Sequence, residues 1–491
     1  MLNLRQSWLI AALLAPGWAS SATDSPAPRF NILFIAADDL RCELGAYGAD
    51  AVQTPHLDGL AAVGTVFLRA YAQQGVCNPS RASMLTGLRP DTLRVWDLRT
   101  HFREHQPDLV TLPQHFKAQG YRAISLGKIF HNQSGRYHPP MPFADPVSWS
   151  EPPRWSDGAH WEDWVVPDST VGPQRKQEAL QSLDVPDEAY WDGQIAQAAI
   201  EQLQRLKDQA EPFFLAVGFW KPHLPFNAPK RYWDLYDRQA LTTPDPAGPA
   251  HDAPELADNR GTELRTYAGI PAAGELPGPL VAELRHGHLA AISFLDAQVG
   301  KVLAELDRLG LRERTIVVFW SDHGLHVGER GLWGKATNYE LDTRAPLIVS
   351  APGLAPGRTS ALVEFVDLYP TLVELAGIGP PSHALEGESI VHVMHRPDAN
   401  GRDHALSQHP RPWPAVTDRQ PTHMGYTLRT PTHRYVEWRK WPEGAVVAIE
   451  LYDHERDSAE SINVADAPEY AEVRDRLRQA LAQRVPARLA P

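Results

Sequence analysis

The stretch Cys77-Asn78-Pro79-Ser80-Arg81, continued by Ala82-Ser83-Met84-Leu85-Thr86-Gly87, carries the residue types of an anion-directed nucleophile. Pro79 suits the first turn of a helix, which sets Cys77 at that helix's N-terminus, where unpaired N–H groups and the helix dipole favour an anion. Arg81 adds a permanent charge and a planar fork of donors suited to a tetrahedral oxyanion. A single cysteine taken alone is more often a buried free thiol, so the stretch needs support from the rest of the chain. Asp38, Asp39 and Asp322 offer it, because carboxylates brought together need a cation or raised pKa values. Oxygen-rich ligation favours Ca²⁺, with Mg²⁺ the alternative, over zinc. Adjacent aspartates also simply end a strand and begin a turn, yet Asp322-His323 repeats the arrangement. Lys128, His131, His223 and Lys335 add positive or titratable groups. Singly, each is more often a solvated lysine or a satisfied histidine. Jointly they supply what cleavage of an anionic ester requires: charge stabilisation of the transferring group and a proton donor for the leaving alcohol.

Four strand-length apolar runs lead into these polar clusters. Residues 31–37 end in Asp38-Asp39, 122–126 in Gly127-Lys128-Ile129-Phe130-His131, 213–219 in Trp220-Lys221-Pro222-His223, and 315–320 in Ser321-Asp322-His323-Gly324. Continuous apolar runs fit parallel strands buried on both faces. Ligands of open α/β sheets bind beyond the carboxyl ends of the strands, so the clusters are expected to converge on one site. Helical patterns over about 111–119, 192–207 and 279–308 lie between the runs. In the last, Leu284, Leu289, Ile292, Leu295, Val299 and Leu303 form the core stripe and leave His286 and His288 to the surface.

The alternation predicts an α/β fold: a large mixed, mainly parallel sheet flanked by helices over residues 29–378. Residues 363–377 read as a helix, and the Pro-, Gly- and His-rich stretch 379–402 reads as a linker. A smaller C-terminal antiparallel sheet subdomain, 403–491, is expected from short strands near 425–429 and 433–438 and a polar helix over 468–484. The Pro-rich segment 131–191 holds Trp149, Trp155, Trp161, Trp164 and Trp191. It reads equally as a carbohydrate-facing wall and as a long loop pinned by aromatic packing.

A net charge of −13 argues against nucleic acid as a partner and leaves the attraction of any anionic substrate to local positive groups. Residues 1–22, with Arg5, an apolar run and then small residues, have the layout of a secretory signal peptide. No later stretch reaches membrane-spanning length, which predicts a secreted or periplasmic protein with no membrane partner. Pairing Cys42 with Cys77 would consume the nucleophile, so a disulfide-free fold is expected.

The pattern Cys-x-Pro-Ser-Arg with its following Thr-Gly resembles the signature of type I sulfatases, of the alkaline phosphatase superfamily. In that family the cysteine is oxidised to formylglycine, and the hydrated aldehyde is the nucleophile. Ala37 to Arg41, Gly127 to His131, Phe219 to Phe226, Ser321 to Gly324 and Gly425 to Thr430 are most similar to the iduronate-2-sulfatase branch. The resemblance implies that Asp38, Asp39, Asp322, His323 and the modified Cys77 hold one Ca²⁺. It implies that Arg81, Lys128, His223 and Lys335 contact sulfate, that His131 holds the aldehyde hydrate as its base, and that His223 with Lys335 protonates the leaving sugar oxygen. One hydroxyl of the hydrate would attack sulfur in line, and the second would then lose its proton, expel sulfate and restore the aldehyde. The partners implied are a formylglycine-generating or other sulfatase-maturing enzyme and a sulfated saccharide, with the 2-sulfate of terminal iduronate leading and sulfated algal polysaccharides the alternative. A phosphodiesterase or phosphonate hydrolase of the same superfamily, and a silent glycan-binding protein, are the competing functions.

Overall fold

The structure is a computed structural model that describes residues 29–131, 144–155, 163–165, 176–245, 248–259, 263–413 and 421–486. The segment read as a signal peptide, and Trp161, lie outside the described residues. The principal sheet contains β1 (Asn31–Asp38), β2 (Thr65–Tyr71), β3 (Arg122–Gly127), β4 (Phe213–Pro222), β5 (Thr315–Ser321), β6 (Leu347–Ser350) and β7 (Gly357–Glu364). Their order is β7-β2-β6-β5-β1-β4-β3, with β1 parallel to both β5 and β4. Only β6 runs against its neighbours, so the sheet is mixed but mainly parallel.

Both faces of β1 are buried, which is why it reads as an unbroken apolar run. Ile32, Phe34 and Ala36 face a layer formed by α2 (Cys77–Thr86), α3 (Leu112–Ala118) and α6 (Leu368–Leu375). Leu33, Ile35 and Ala37 face α1 (Pro55–Ala62), α4 (Trp191–Leu206) and α5 (Gly278–Arg308). The period of two along the strand thus divides one sheet between two hydrophobic cores.

The C-terminal sheet is antiparallel, in the order β8 (Ala405–Arg411), β9 (His423–Arg429), β10 (His433–Lys440) and β11 (Val446–Asp453). Helix α8 (Ala471–Arg484) covers it with Leu477 and Leu481, packed near Met424 and Leu428. Ser407 and Gln408 of β8 bond the carbonyls of Ala72 and Gln73 at 2.5 and 2.8 Å, which joins this sheet to the segment entering α2.

Three expectations are corrected. His286 and His288 are buried, because the middle of α5 is enclosed on every side and not along its apolar stripe alone. Residues 363 and 364 continue β7, paired with Ala70 and Tyr71, and the α-helical part of that segment begins at Leu368. The stretch read as a linker contains α7 (Val391–His395), whose Val393 and Met394 enter the first core.

Candidate active site

Asp38, Lys128, His223 and Asp322 stand at or just past the carboxyl ends of β1, β3, β4 and β5, on one edge of the sheet. Close strand approach sets Lys128: a Cβ on Gly127 would collide with the Gly218 carbonyl, and one on Gly218 with the Lys128 carbonyl. Gly127 also has φ +69°, a conformation that suits glycine. Asp192, at the start of α4, accepts the backbone N–H groups of Trp220 and Lys221 at 2.8 and 3.0 Å and so fixes the approach to His223. Asp39 lies at φ +62°, and its N–H donates to Asp322 Oδ1 at 3.1 Å.

Helix α2 begins at Cys77 and is buried along its whole length. Its Thr-Gly end has a local cause: Thr86 bonds back to Ala82 O at 2.7 Å, and Gly87 closes the helix in the left-handed region at φ +71°. Ser80 bonds the Asp322 carbonyl at 2.5 Å, which ties the helix to the end of β5.

Arg81 is fully buried. Nε donates to Asp322 Oδ2 at 2.8 Å; Nη1 to the carbonyls of Lys128 and Ile129 at 2.6 and 3.0 Å; Nη2 to Ala37 O and Asp38 Oδ1 at 3.0 and 3.1 Å. A guanidinium has five N–H donors, and all are spent on the protein. The expectation that Arg81 contacts sulfate is therefore corrected. Its place is beneath the carboxylates, which it orients.

Lys128 Nζ bonds Asp38 Oδ2 at 2.5 Å and lies 5.3 Å over the Trp220 ring. Lys335 Nζ meets both oxygens of Asp39 at 2.5 and 2.6 Å and Cys77 Sγ at 3.4 Å. His323 Nδ1 faces the Gly324 carbonyl at 2.8 Å, which directs Nε2 to Sγ at 3.3 Å and to Asp39 Oδ1 at 3.4 Å. His223 repeats the device: Nδ1 faces Leu224 O at 2.8 Å, and Nε2 stands 3.6 Å from Asp39 Oδ2. His131 is half-buried in the field of Lys128, Asp38, Arg81 and Lys335. The site residues expected from the sequence thus share one cluster.

Burial opposes charge on Asp38, yet Lys128 and Arg81 hold its carboxyl well below the usual range. Asp39 goes the other way. Burial, with the negative charges of Asp38 and Asp322, pushes it to about 6 despite Lys335 and His323. Burial likewise pushes the Cys77 thiol well above its ordinary value against the pull of Lys128 and Lys335, so a plain thiolate nucleophile is disfavoured. Burial and the Lys128 charge push His131 well below the usual imidazole range.

Ligating atoms of Asp39, Cys77, Asp322 and His323 lie within 4.8 Å of one another, as do those of Asp38, Asp39, Cys77 and His223. The raised Asp39 marks where a cation would relieve the crowding, and three buried carboxylates make a hard-oxygen donor set. The residues fit a divalent metal.

The sequence profile of the family described as Sulfatase matches residues 30–378, and one described as N-sulphoglucosamine sulphohydrolase, C-terminal, matches 328–486. The chain belongs to the sulfatase family. It is 36% identical to iduronate 2-sulfatase of Homo sapiens over 506 aligned residues, which cover 89% of each chain. The phosphonate monoester hydrolase of Agrobacterium radiobacter shares the fold, with a TM-score of 0.77, 23% identity, and coverage of 93% of this chain and 95% of that one. A protein solved in complex with D-glucosamine-2-N,6-O-disulfate superposes with a TM-score of 0.69 at 22% identity, covering 93% of this chain and 97% of that one. The sulfatase is a sulfuric ester hydrolase similar to iduronate 2-sulfatase.

Three residues of this sulfatase's site were missed from the sequence: Asp192, Glu263 and Lys176. Glu263 Oε2 stands 3.7 Å from His223 Nε2 and 4.0 Å from Lys335 Nζ, and Oε1 is 2.8 Å from Lys176 Nζ. Glu263 and Lys176 lie in loop-rich stretches without periodicity, so no signal marked them. Asp192 could have been found as an acidic residue opening a helix before the Trp220-Lys221-Pro222-His223 cluster. In segment 131–191, Trp149 is buried against Phe130 at a ring distance of 6.2 Å, which is aromatic packing. Among the described residues no helix is long and apolar enough to cross a membrane.

Proposed function

We propose that this sulfatase is an exported, formylglycine-dependent enzyme that removes the 2-sulfate of a terminal iduronate or a related sugar, with one Ca²⁺ held by Asp38, Asp39, Asp322 and His323. The observation that carries the substrate is the 36% identity to human iduronate 2-sulfatase across nearly the whole chain. The nucleophile rests on Cys77, whose sulfur position stands in for the oxygen of the modified side chain, between Lys335, His323 and Asp39.

Formylglycine at position 77 would supply a hydrated aldehyde, and a cation held by Asp38, Asp39, Asp322 and His323 would supply Lewis acidity there. The remaining work falls to the chain. Arg81 holds Asp38 and Asp322 in place. Lys128 and Lys335 bring ammonium charge to the sulfate as negative charge builds on the leaving oxygen. His131, kept neutral by burial, accepts the hydrate proton. His223, whose Nδ1 is turned to the Leu224 carbonyl, presents Nε2 as the atom that protonates the leaving sugar oxygen.

Two measurements test the reading. The intact mass of the peptide spanning Cys77 is expected to show the aldehyde in active preparations, and full activity with only the thiol present would sink it. Sulfate release is expected to be fastest from a terminal 2-sulfated iduronate. Equal rates on internal esters, turnover confined to sulfated rhamnose or galactose, or a preference for phosphate and phosphonate esters would each overturn the substrate.

A further inference from the structure

From the carboxylates past His223 towards Glu263, exposure rises. The side chains of Asp38, Asp322 and His323 are 0% exposed, His223 3%, Lys335 10%, Lys176 19% and Glu263 26%. Glu263 and Lys176 are therefore the solvent-facing residues next to His223. A leaving alcohol protonated by His223 departs towards solvent, carrying its sugar past these two residues.

Lys176 is fixed there by three features. Its strand, Lys176–Glu178, pairs in parallel with Tyr267–Ala268, with Lys176 opposite Tyr267. Its Nζ lies 4.6 Å over the Tyr267 ring and 2.8 Å from Glu263 Oε1. The other oxygen of the same carboxylate reaches His223 and Lys335. A single carboxylate thus separates an outer ammonium from the inner cations and sets the distance between them.

We infer that Lys176, positioned by Glu263 and Tyr267, recognises the carboxylate of the sugar that bears the sulfate and so determines preference for uronate over neutral esters. The assignment rests on the saccharide reading above and names the residue behind its specificity. Lys128 and Lys335 are assigned above to the sulfate and Arg81 is saturated, which leaves Lys176 as the cation for the carboxylate further out. In a 2-sulfated uronate the ester on C2 and the carboxylate on C5 lie across the ring from each other, which matches a reader set one carboxylate beyond His223. The chain carries a net charge of −13, so a substrate with two negative groups approaches against the global field, and a fixed cation facing solvent offsets that repulsion locally.

The test compares a 2-sulfated iduronide with its carboxyl-reduced 2-sulfated counterpart, using full-length enzyme. The readout is the ratio of the two kcat/KM values in the wild type, K176M, K176Q and K176R. Two neutral variants are used so that misfolding of one does not end the test, with the melting temperature as the check. In K176M and K176Q the ratio is expected to fall by about tenfold, mainly through a higher KM for the uronide, and K176R should retain most of it. A wild-type preference for the uronide that survives in both neutral variants would overturn the role of Lys176 and leave the uronate reading standing. No preference in the wild type would overturn both.

Discussion

Among the described residues two regions bring carboxylate and histidine atoms within 4.8 Å of one another, one fully buried and one partly so, and only the first has the character of a reaction site. The other, Glu340, His454 and Glu460, lies where the C-terminal sheet meets the larger domain. There Glu340 Oε1 accepts Tyr71 OH at 3.0 Å, and Oε2 accepts Arg429 Nε and Arg434 Nη2 at 2.9 and 2.5 Å. Glu460 Oε1 is met by Arg434 Nε at 2.5 Å and His454 Nε2 at 2.8 Å, and Oε2 accepts the Glu340 N–H at 2.8 Å. Burial alone would raise Glu340, but Arg429 and Arg434 bring it down to about 2. Asp39, more deeply buried, rises to about 6, because burial and the charges of Asp38 and Asp322 outweigh Lys335 and His323. Ligand geometry is common to both clusters. What separates them is Asp39: Arg81 matches Asp38 and Asp322 in the first cluster but makes no bond to Asp39, whereas Arg434 reaches both carboxylates of the second.

The sharpest way to test this contrast is to remove one residue from each cluster. Cys77→Ala should lower turnover by at least about a thousandfold, because it deletes the reacting group itself, with little change in melting temperature. Arg434→Met should do the reverse. It strips the partner from two buried carboxylates and is expected to cost about 3–5 kcal/mol of stability, read by urea unfolding, while the folded fraction keeps most of its turnover per molecule. A stable Arg434→Met protein with impaired catalysis would mean that the second cluster serves the chemistry after all.

A smaller effect is expected where structure and site are coupled. Asp192→Ala leaves the buried N–H groups of Trp220 and Lys221 without their acceptor, at about 1–3 kcal/mol for each unsatisfied group. Because the same bonds set the course of the chain to His223, turnover should fall along with stability. Kinetics below the unfolding temperature should show a lower kcat. Loss of stability with kcat unchanged would separate Asp192 from the site.

How much of this was legible in the sequence follows from burial. Strands β1, β3, β4 and β5 are covered on both faces, so they read as apolar runs, and their polar ends announced the site. Strand β2 includes Arg69, β6 is four residues long, and β7 alternates with exposed polar residues before Ala361, so none of them gave a comparable run. In α5 the periodic stripe was correct but incomplete, because a helix enclosed on all sides also buries its polar positions. That Lys128 and His223 belong to the cluster could be read from strand ends, whereas Lys335 follows none of the four apolar runs. The saturation of Arg81 could not be read, since its five acceptors come from three separate segments of the chain.

The smallest predicted effect extends the contrast to a histidine that sequence periodicity had left on the surface. His288 is fully buried beside Glu43, which pairs with Arg41 at 2.9 Å and with Arg285. Burial pushes its imidazole down to about 3; Glu43 opposes this, and Arg41 and Arg285 reinforce it. Between about pH 6.5 and pH 3 the unfolded chain therefore binds a proton at this position that the folded chain refuses. The sign is that of a depressed pKa: the stabilisation is complete above about pH 6.5 and drains away as the pH falls towards 3. In His288→Gln the pH dependence of unfolding free energy between about pH 6 and 4 should lose about one proton, or about 1.4 kcal/mol per pH unit. Urea titrations of both proteins across that range measure the difference directly. If the two slopes coincide, His288 carries its proton in the folded state, and its pairing with Glu43 outweighs the cost of burial.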